Sequence, residues 1–418
     1  MKHARWDLSK LKDYQNKQLR QVIRYSYANV PFYNRKLKDL GIKPSDINTT
    51  EDMKKLPILR KDEIRSNINT FISQEFDMAS LKRVSTSGST GKPLFLYISK
   101  AEDEFRKAKH LRANIALGQK PRDRWVTLTS PHHFTEISKL QQKIGIFVPR
   151  SVSVFNTIED QLKIIEKKRP DIMDGYASSL LLLAKEVEKN GTSIDPKFLI
   201  SGAELIDPAS RQYIEKSFGV TCYDQYACIE LERVAWQCPH LQGYHMDVDT
   251  MILQFVDKNG DEVSSGERGE IVCTSLFNYA MPLVRYAIGD IGIPSDHGCT
   301  CGRTLPLMEM VEGRKDSFLV LPNGQILSPR SFTIAISTFK LYSQIEQFRV
   351  VQKKVDLFEI QIKKDVTYSE AEGMDFLLIK HLRETFRLSE EEVTFNVNFV
   401  DEIPLDKNGK LMIVVSEL

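Results

Sequence analysis

The chain has 418 residues, 41% hydrophobic and 27% charged, a globular composition long enough for two or more domains. Its 58 basic residues nearly cancel its 56 acidic ones, leaving a net charge of +2, which excludes the strong positive field that holds DNA or an anionic membrane. Six cysteines are too few for a disulfide scaffold, and no apolar run reaches 18 residues. We therefore expect a cytoplasmic protein that acts on small molecules, without nucleic-acid or membrane partners.

Helical periodicity opens the chain. Apolar residues recur every three or four positions through residues 7–45, and Pro31 interrupts the pattern. Residues 125–128 then predict a strand, and residues 158–168 and 180–189 predict helices. This alternation is typical of an α/β domain.

Strand patterns dominate from about residue 247. Residues 251–256 and 270–274 predict strands, with a turn at residues 257–260 after the first. The last hundred residues predict a small α+β unit, with strands at 348–351, 357–362 and 394–400 and a helix at 369–385. The predicted fold is α/β. A large N-terminal domain with a β-rich subdomain spans residues 1–315, and a small α+β domain spans residues 316–418.

Residues 85–93 collect hydroxyl side chains, glycines and a lysine. Glycines let backbone N–H groups converge on an anion, hydroxyls add donors, and the lysine adds charge. The segment therefore predicts a phosphate-binding loop, although its spacing differs from the Walker A pattern. A Ser/Thr-rich surface turn is the alternative. The predicted phosphate-binding residues are Ser85, Thr86, Ser87, Gly88, Ser89, Thr90, Gly91 and Lys92.

Further motifs surround this loop in order along the chain. They are Val30-Pro31-Phe32-Tyr33, Leu56-Pro57-Ile58-Leu59-Arg60-Lys61, Ser201-Gly202-Ala203-Glu204, Tyr226-Ala227-Cys228-Ile229-Glu230, Arg285-Tyr286-Ala287-Ile288-Gly289-Asp290, Gly313-Arg314-Lys315-Asp316 and Pro404-Leu405-Asp406-Lys407-Asn408-Gly409-Lys410. Together with the loop, they resemble the signatures of the adenylate-forming superfamily, and within it those of phenylacetate-CoA ligase-like proteins. The resemblance spans nearly the whole chain. It implies an enzyme that joins a carboxylic acid to ATP as an acyl-adenylate and passes the acyl group to a thiol.

The resemblance assigns roles to particular residues. Glu230 falls where the family holds Mg²⁺, and attack of a carboxylate on a polyphosphate needs a cation to offset charge repulsion. Asp290 falls where an acidic side chain accepts hydrogen bonds from the ribose hydroxyls, and Arg314 where a guanidinium contacts the nucleotide. The other implied nucleotide-binding residues are Gly202, Ala203, Glu204, Asp224 and Tyr226.

Two C-terminal residues complete the implied catalytic machinery. Lys410 matches the adenylation lysine that approaches the carboxylate and the α-phosphate, so it joins Glu230 as a catalytic residue. Asp316 matches the hinge about which the small domain rotates between adenylation and thiol transfer. One position departs from the family pattern. Many relatives have a threonine where this chain has Ile229, and an isoleucine side chain cannot donate a hydrogen bond. We expect its neighbour Cys228 to be a packed thiol rather than a nucleophile.

The resemblance implies that the segments before the nucleotide motifs form the acid pocket. The candidate pocket residues are His133, Phe134, Tyr176, Ala177 and Ser201. Packing of His133 and Phe134 on the domain as a loop tip is the alternative.

Four cysteine and histidine residues form a candidate zinc site. Cys238 and His245 are seven residues apart, and Cys299 and Cys301 form a close pair downstream. Three thiolates and an imidazole are a ligand set typical of tetrahedral zinc, and phenylacetate-CoA ligase-like relatives have similar positions. Reduced buried cysteines are the alternative, and His240 or His297 could replace His245. Cys222 and Cys273 are expected to be core residues in strands.

The predicted activity is ATP-dependent activation of an aryl or arylacetic acid, followed by thioester formation with coenzyme A. ATP, Mg²⁺ and coenzyme A are the implied cofactors. The alternative acceptors are a carrier-protein phosphopantetheine or an amine, and a homodimer is left open. A nucleotide-binding regulatory protein without turnover is an alternative of another class, suggested by Ile229 and disfavoured by the presence of Lys410, Asp290 and Glu230.

Overall fold

The computed structural model describes residues 3–86, 94–204, 206, 208–310, 319–327, 329–364, 373–403 and 413–418. The chain forms two compact units, each built from separate stretches of sequence. Unit 1 comprises residues 1–85, 94–119 and 223–313, and unit 2 comprises residues 86–93, 120–222 and 314–418. No helix among the described residues is long and apolar enough to cross a membrane. The predicted domain boundary near residue 315 stays a prediction.

The helices and strands are numbered in chain order. The α-helices of the described residues are α1 Leu8–Asn29, α2 Pro31–Asp39, α3 Lys61–Ser66, α4 Lys100–Ala116, α5 Lys139–Ile144, α6 Ile158–Lys168, α7 Ala177–Asn190, α8 Pro208–Phe218, α9 Pro329–Ser337 and α10 Met374–Phe386. The strands are β1 Lys82–Ser85, β2 Phe95–Ile98, β3 Trp125–Thr129, β4 Pro149–Ser153, β5 Ile172–Tyr176, β6 Phe198–Gly202, β7 Cys222–Cys228, β8 Glu232–Gln237, β9 Tyr244–Met246, β10 Met251–Val256, β11 Gly269–Ser275, β12 Tyr286–Ser295, β13 Leu307–Met310, β14 Leu319–Val320, β15 Ile326–Leu327, β16 Ile345–Lys354, β17 Leu357–Lys364, β18 Thr394–Phe399 and β19 Val414–Ser416.

Unit 1 begins with the predicted helical region. The Asp7 carboxylate accepts a hydrogen bond from the Lys10 backbone and caps α1, as short acidic side chains do at helix starts. The predicted apolar face is buried, including Leu11, Leu19 and the neighbouring Val22–Ile23 pair. Pro31 does not simply end the helical region. It occupies the first turn of α2, where its missing N–H costs nothing.

An antiparallel sheet forms the centre of unit 1, in the order β10-β11-β12-β13-β9-β8-β7. It contains the predicted β-rich region, and the predicted strands at 251–256 and 270–274 are confirmed as β10 and β11. Cys273 is fully buried in β11, as predicted. A hairpin of β1 and β2 also belongs to this unit. The sheet brings β7 and β12, which are far apart in sequence, into one structural unit.

Unit 2 contains the α/β alternation predicted from the sequence. Its parallel strands lie in the order β4-β3-β5-β6, and β3, α6 and α7 confirm the predicted elements. Gly175 in β5 faces β3 so closely that a Cβ there would lie 2.8 Å from the Leu128 Cβ. Tight parallel packing therefore explains this glycine.

The C-terminal part of unit 2 forms a mixed sheet, β18-β17-β16-β19, with α9 and α10. The strands predicted in this region are confirmed. The described part of the predicted helix at 369–385 is α10, which ends at Phe386. This region shares one hydrophobic core with the parallel sheet, and Phe155 packs edge-to-face against Phe386 at 5.8 Å.

Candidate active site and metal centre

Glu230, a predicted catalytic residue of unit 1, is buried, with 3% of its surface exposed. The hydroxyl of Tyr286 donates a hydrogen bond to its Oε1 at 2.6 Å. The Lys61 Nζ lies 3.5 Å from the same oxygen. A buried carboxylate needs such partners because desolvation disfavours its charge. The structure thus gathers Glu230, Lys61 and Tyr286 from three separate sequence motifs.

Strand pairing explains how Lys61 reaches this point. The Leu59 N–H donates to the Arg285 carbonyl at 2.8 Å, and the Ala287 N–H donates to the Leu59 carbonyl at 3.0 Å. Helix α3 begins at Lys61, two residues later. The 56–61 motif is therefore bonded to the first residues of β12, where Tyr286 lies.

Helix α4 holds the backbone around Glu230 through a buried polar face that the sequence reasoning missed. An Nη of Arg106 donates to the Ile229 carbonyl at 2.5 Å, and the Lys109 Nζ donates to the Leu231 carbonyl at 3.1 Å. Between them, the Asn278 amide donates to the Glu230 carbonyl at 3.2 Å. Three consecutive carbonyls therefore accept side-chain hydrogen bonds, and these bonds fix the backbone that carries Glu230.

Burial sets the protonation of the groups beside Glu230. It lowers the pKa of Lys109 to about 8, despite the opposing attraction of Asp247. Burial, reinforced by the nearby Glu230 charge, raises the pKa of Tyr286, which stays a hydrogen-bond donor. It also raises the pKa of Cys228 well above its usual value. These directions support the expectation that Cys228 is a packed thiol and not a nucleophile.

Two predicted nucleotide-binding residues meet in unit 1. The Tyr226 hydroxyl on β7 donates to an Asp290 carboxylate oxygen on β12 at 2.7 Å. Burial, and next the charge of Asp290, raise the pKa of Tyr226, so the tyrosine remains a donor. Asp224, also on β7, is buried and accepts a hydrogen bond from the Tyr244 hydroxyl at 2.7 Å. Their nucleotide-binding roles stay predictions.

Unit 2 brings together part of the predicted acid pocket. The Tyr176 hydroxyl at the end of β5 lies 3.3 Å from Nδ1 of His133 and 3.1 Å from Oγ1 of Thr129. Ala177 begins α7, and Ser201 is fully buried in β6. Phe134 is 39% exposed. This exposure favours the alternative in which Phe134 lies at a loop tip over a position in a pocket wall.

The predicted Ser-Gly-Ala-Glu segment follows β6 of unit 2. Gly202 ends the strand, and Ala203 has the left-handed φ of 63°, which is uncommon for a residue with a side chain. The Glu204 carboxylate accepts a hydrogen bond from the Ser178 backbone at 2.8 Å. It therefore stabilises the first turn of α7, where backbone N–H groups lack helical partners. Its nucleotide role is not tested by this contact.

Several predicted residues lie outside the described part of the chain. They are residues 87–92 of the phosphate loop, Arg314, Asp316 and Lys410. The two remaining loop residues are described, since Ser85 ends β1 and Thr86 follows it.

The four cysteine and histidine candidates form one cluster in unit 1. One ligand atom from each of Cys238, His245, Cys299 and Cys301 lies within 4.8 Å of all the others. The Cys238 and Cys299 sulfurs are 3.6 Å apart, and the Cys301 sulfur is 3.3 Å from Nε2 of His245. Ligands bound tetrahedrally at about 2.1 to 2.3 Å are separated by roughly 3.4 to 3.8 Å. The residues fit a zinc ion.

The protonation of His245 also fits a metal ligand. Its Nδ1 lies 3.2 Å from the Leu305 carbonyl, which can only accept, so Nδ1 carries the proton and Nε2 keeps its lone pair. Burial lowers the His245 pKa to about 4, so the imidazole is neutral at physiological pH. His240 instead contacts Thr300, and His297 is exposed. The fold therefore selects His245 among the three predicted histidines.

The segment after Cys301 connects the cluster to the rest of unit 1. Thr304 donates backbone and hydroxyl hydrogen bonds to the carbonyls of Ala4 and Trp6. The Arg303 guanidinium lies over the Trp236 ring at 5.2 Å. The cysteine and histidine cluster is therefore close in sequence to Thr304, whose hydrogen bonds hold residues 4 and 6 near the start of the chain.

The chain is similar to several known proteins. Residues 319–417 match the CapK C-terminal domain family. Phenylacetate-coenzyme A ligase of Thermus thermophilus is 28% identical over 373 residues, covering 86% of this chain and 82% of its own. The Escherichia coli protein of the same name is 27% identical over 380 residues, covering 87% and 84%. A crystal structure of 2-hydroxyisobutyryl-CoA ligase in complex with 2-HIB-AMP and CoA has a TM-score of 0.67 at 18% identity, covering 100% of this chain and 92% of that one. This likeness confirms the predicted fold class.

Proposed function

We propose that this chain, a relative of the phenylacetate-CoA ligases with the fold of the adenylate-forming enzymes, activates a carboxylic acid with ATP and transfers the acyl group to coenzyme A. The observation that carries the proposal is the extent of the similarity, since phenylacetate-CoA ligases align with 86–87% of the chain. The resemblance predicted from the motifs is confirmed, and the enzyme class is that of AMP-forming acid–CoA ligases. The acid itself is a finer proposal, for which an aryl or arylacetic acid is the first candidate.

The reaction proceeds in two balanced steps. A carboxylate oxygen of the acid attacks the α-phosphorus of ATP, the bond to the bridging oxygen breaks, and pyrophosphate leaves. The thiol sulfur of coenzyme A then attacks the acyl carbon, AMP leaves, and the thiol proton is released. Both steps concentrate negative charge, so the protein must bind and orient anions while limiting their repulsion.

The unit 1 residues fit parts of this task. Glu230 would hold Mg²⁺, which when bound supplies the positive charge that offsets the repulsion between carboxylate and phosphates. Asp290 would accept hydrogen bonds from the ribose hydroxyls, and the hydroxyl of Tyr226 orients its carboxylate. Both acidic groups accept a hydrogen bond from a tyrosine hydroxyl, which limits the reorganisation that nucleotide binding would require.

The remaining roles rest on the sequence motifs. Residues 85–92 would bind the β- and γ-phosphates, Arg314 the nucleotide, and Lys410 the reacting carboxylate and α-phosphate. Asp316 would be the hinge of a mobile C-terminal domain. The match of residues 319–417 to the CapK C-terminal domain supports a domain that begins just after this residue.

The acid pocket is proposed around the Tyr176 hydroxyl. This group and the His133 imidazole are 3.3 Å apart, and both can hydrogen-bond to a polar substituent of an acid. Ala177 and Ser201, small residues at the ends of neighbouring elements, would leave room for the acyl group.

Acid-dependent ATP–pyrophosphate exchange is the direct test. We expect exchange with at least one member of a panel containing phenylacetate, benzoate, 2-hydroxyisobutyrate and acetate, followed by thioester formation when coenzyme A is added. Glu230→Gln should abolish exchange. Tight ATP binding without exchange for any acid would instead favour a nucleotide-binding regulatory protein. Exchange without a CoA thioester would favour a carrier-protein or amine acceptor.

We also propose that Cys238, His245, Cys299 and Cys301 hold a structural zinc ion. Purified protein should contain about one zinc per chain, measured by mass spectrometry of the metal. Cys301→Ser should lower the content several-fold, whereas Cys222→Ser, a control at a buried cysteine outside the cluster, should leave it unchanged. Equal zinc content in all three proteins would refute the site.

A further inference from the structure

We infer that Tyr286 is a positioning residue for Glu230, holding one carboxylate oxygen so that the other is presented to the divalent cation of ATP. The inference rests on the proposed function, since it assigns a cation to Glu230. The motifs assign no role to Tyr286. In this inference its hydroxyl contacts the carboxylate of Glu230 and not the cation or the substrate. Its action is exerted through the carboxylate.

The first argument is the distribution of contacts on the carboxylate. Among the described residues, the hydrogen bond from Tyr286 and the ion pair with Lys61 both fall on Oε1. The 2.6 Å bond from a neutral hydroxyl to a carboxylate is short and charge-assisted. It fixes the rotation of the carboxylate group about its last bond, and Oε2 becomes the oxygen available to a cation.

The second argument is the rigidity of both partners. The side chain of Tyr286 is fully buried, and its backbone is bracketed by the hydrogen bonds between Leu59 and the residues on either side of it. The peptide groups of residues 229–231 are held through their carbonyls by α4 and Asn278. A hydrogen bond between two fixed groups can set an orientation, whereas one between mobile groups cannot.

A purely structural buried pair is the competing explanation. Such pairs place the opposite charge in direct contact, yet the Lys61 Nζ is 3.5 Å from the carboxylate and the shorter partner is a neutral hydroxyl. Hydrophobic residues would fill this space at lower cost than a carboxylate with incomplete charge compensation. This incomplete compensation is expected for a carboxylate whose negative charge binds a cationic ligand.

The dependence of exchange on Mg²⁺ tests the inference. Tyr286→Phe should raise the Mg²⁺ concentration for half-maximal exchange by about 10- to 100-fold, the usual effect of removing a group that orients a metal ligand. At saturating Mg²⁺ its kcat should return to within about threefold of wild type. Tyr33→Phe is the matched control, because Tyr33 is also buried in unit 1 but hydrogen-bonds to the backbone of Pro282 and Val284. It should leave the Mg²⁺ requirement unchanged.

Equilibrium dialysis of ATP with Mn²⁺ provides a second readout that does not depend on turnover. Tyr286→Phe should weaken cation-dependent ATP binding by the same factor and leave cation-free binding unchanged. This measurement remains decisive if no acid gives exchange, in which case the proposed function fails separately. If Tyr286→Phe does not fold, Asn278→Ala removes the bond to the Glu230 carbonyl and should shift the cation requirement in the same direction. Unchanged cation dependence, or an equal shift in the Tyr33→Phe control, would overturn the inference.

Discussion

Replacing Lys109 by methionine should change how the stability of the protein depends on pH. Lys109 is buried in α4 with 4% of its surface exposed, and burial lowers its pKa from 10.5 to about 8. The unfolded chain therefore binds more protons than the folded chain between these two values. Stability of the wild type should rise with pH through this window, and the full penalty for burying the charge applies below pH 8.

The magnitude follows from the size of the shift. Each pKa unit corresponds to about 1.4 kcal/mol, so the penalty below pH 8 is about 3 kcal/mol. Lys109→Met removes this titration. The free energy of unfolding of the wild type, relative to that of the variant, should therefore increase by about 2 to 3 kcal/mol between pH 7 and pH 10. The lost hydrogen bond to the Leu231 carbonyl adds an offset that is the same at every pH.

Urea unfolding of both proteins at several pH values measures this difference. Lys107→Met is the control on the same helix. There, burial lowers the lysine pKa but the ion pairs with Glu104 and Asp103 outweigh it and raise the pKa, so no slope is expected below pH 10. A wild-type curve parallel to that of Lys109→Met would refute the reasoning, because it would mean that Lys109 titrates alike in both states.

Three further substitutions test other contacts. Tyr226→Phe should raise the KM for ATP by about 10-fold, since it removes a hydrogen bond to the Asp290 carboxylate; an unchanged KM would contradict the ribose assignment. Arg233→Leu should destabilise the protein by about 3 kcal/mol, because it removes the guanidinium 3.0 Å from the buried Asp247 carboxylate, which Arg112 still contacts at 3.3 Å. A loss below 1 kcal/mol in urea unfolding would contradict this expectation. Gly175→Ala should cost about 1 to 3 kcal/mol, as its Cβ would lie 2.8 Å from a side-chain carbon of β3; an unchanged unfolding midpoint would contradict the close packing.

The sequence predicted the elements whose apolar residues have a clear period. Helix α1 and strands β10 and β11 followed the expected patterns, because each packs one apolar face or both faces against a core. Helix α7 was predicted from residue 180 but begins at Ala177. Its first turn has no apolar period, and a contact from Glu204, distant in sequence, stabilises it.

The polar contacts of the site were less predictable. Helix α4 was missed as a functional element because its buried face is charged, and its partners lie more than 120 residues away. A signal was present, since Arg106 and Lys109 are three residues apart and hence on one face of a helix. For the cysteine cluster, the residue types predicted the ligands, but only the fold could distinguish His245 from His240 and His297.

The hydrogen bonds from α4 to the backbone of residues 229–231 affect which substitutions this segment can tolerate. Arg106 and Lys109 bind the backbone carbonyls of residues 229 and 231, which every amino acid has, so these contacts constrain the course of the backbone and not the side chain at residue 229. The side chain at residue 229 can therefore change while Glu230 keeps its place. Mutational drift at this position would change the local side chain without displacing the glutamate beside it.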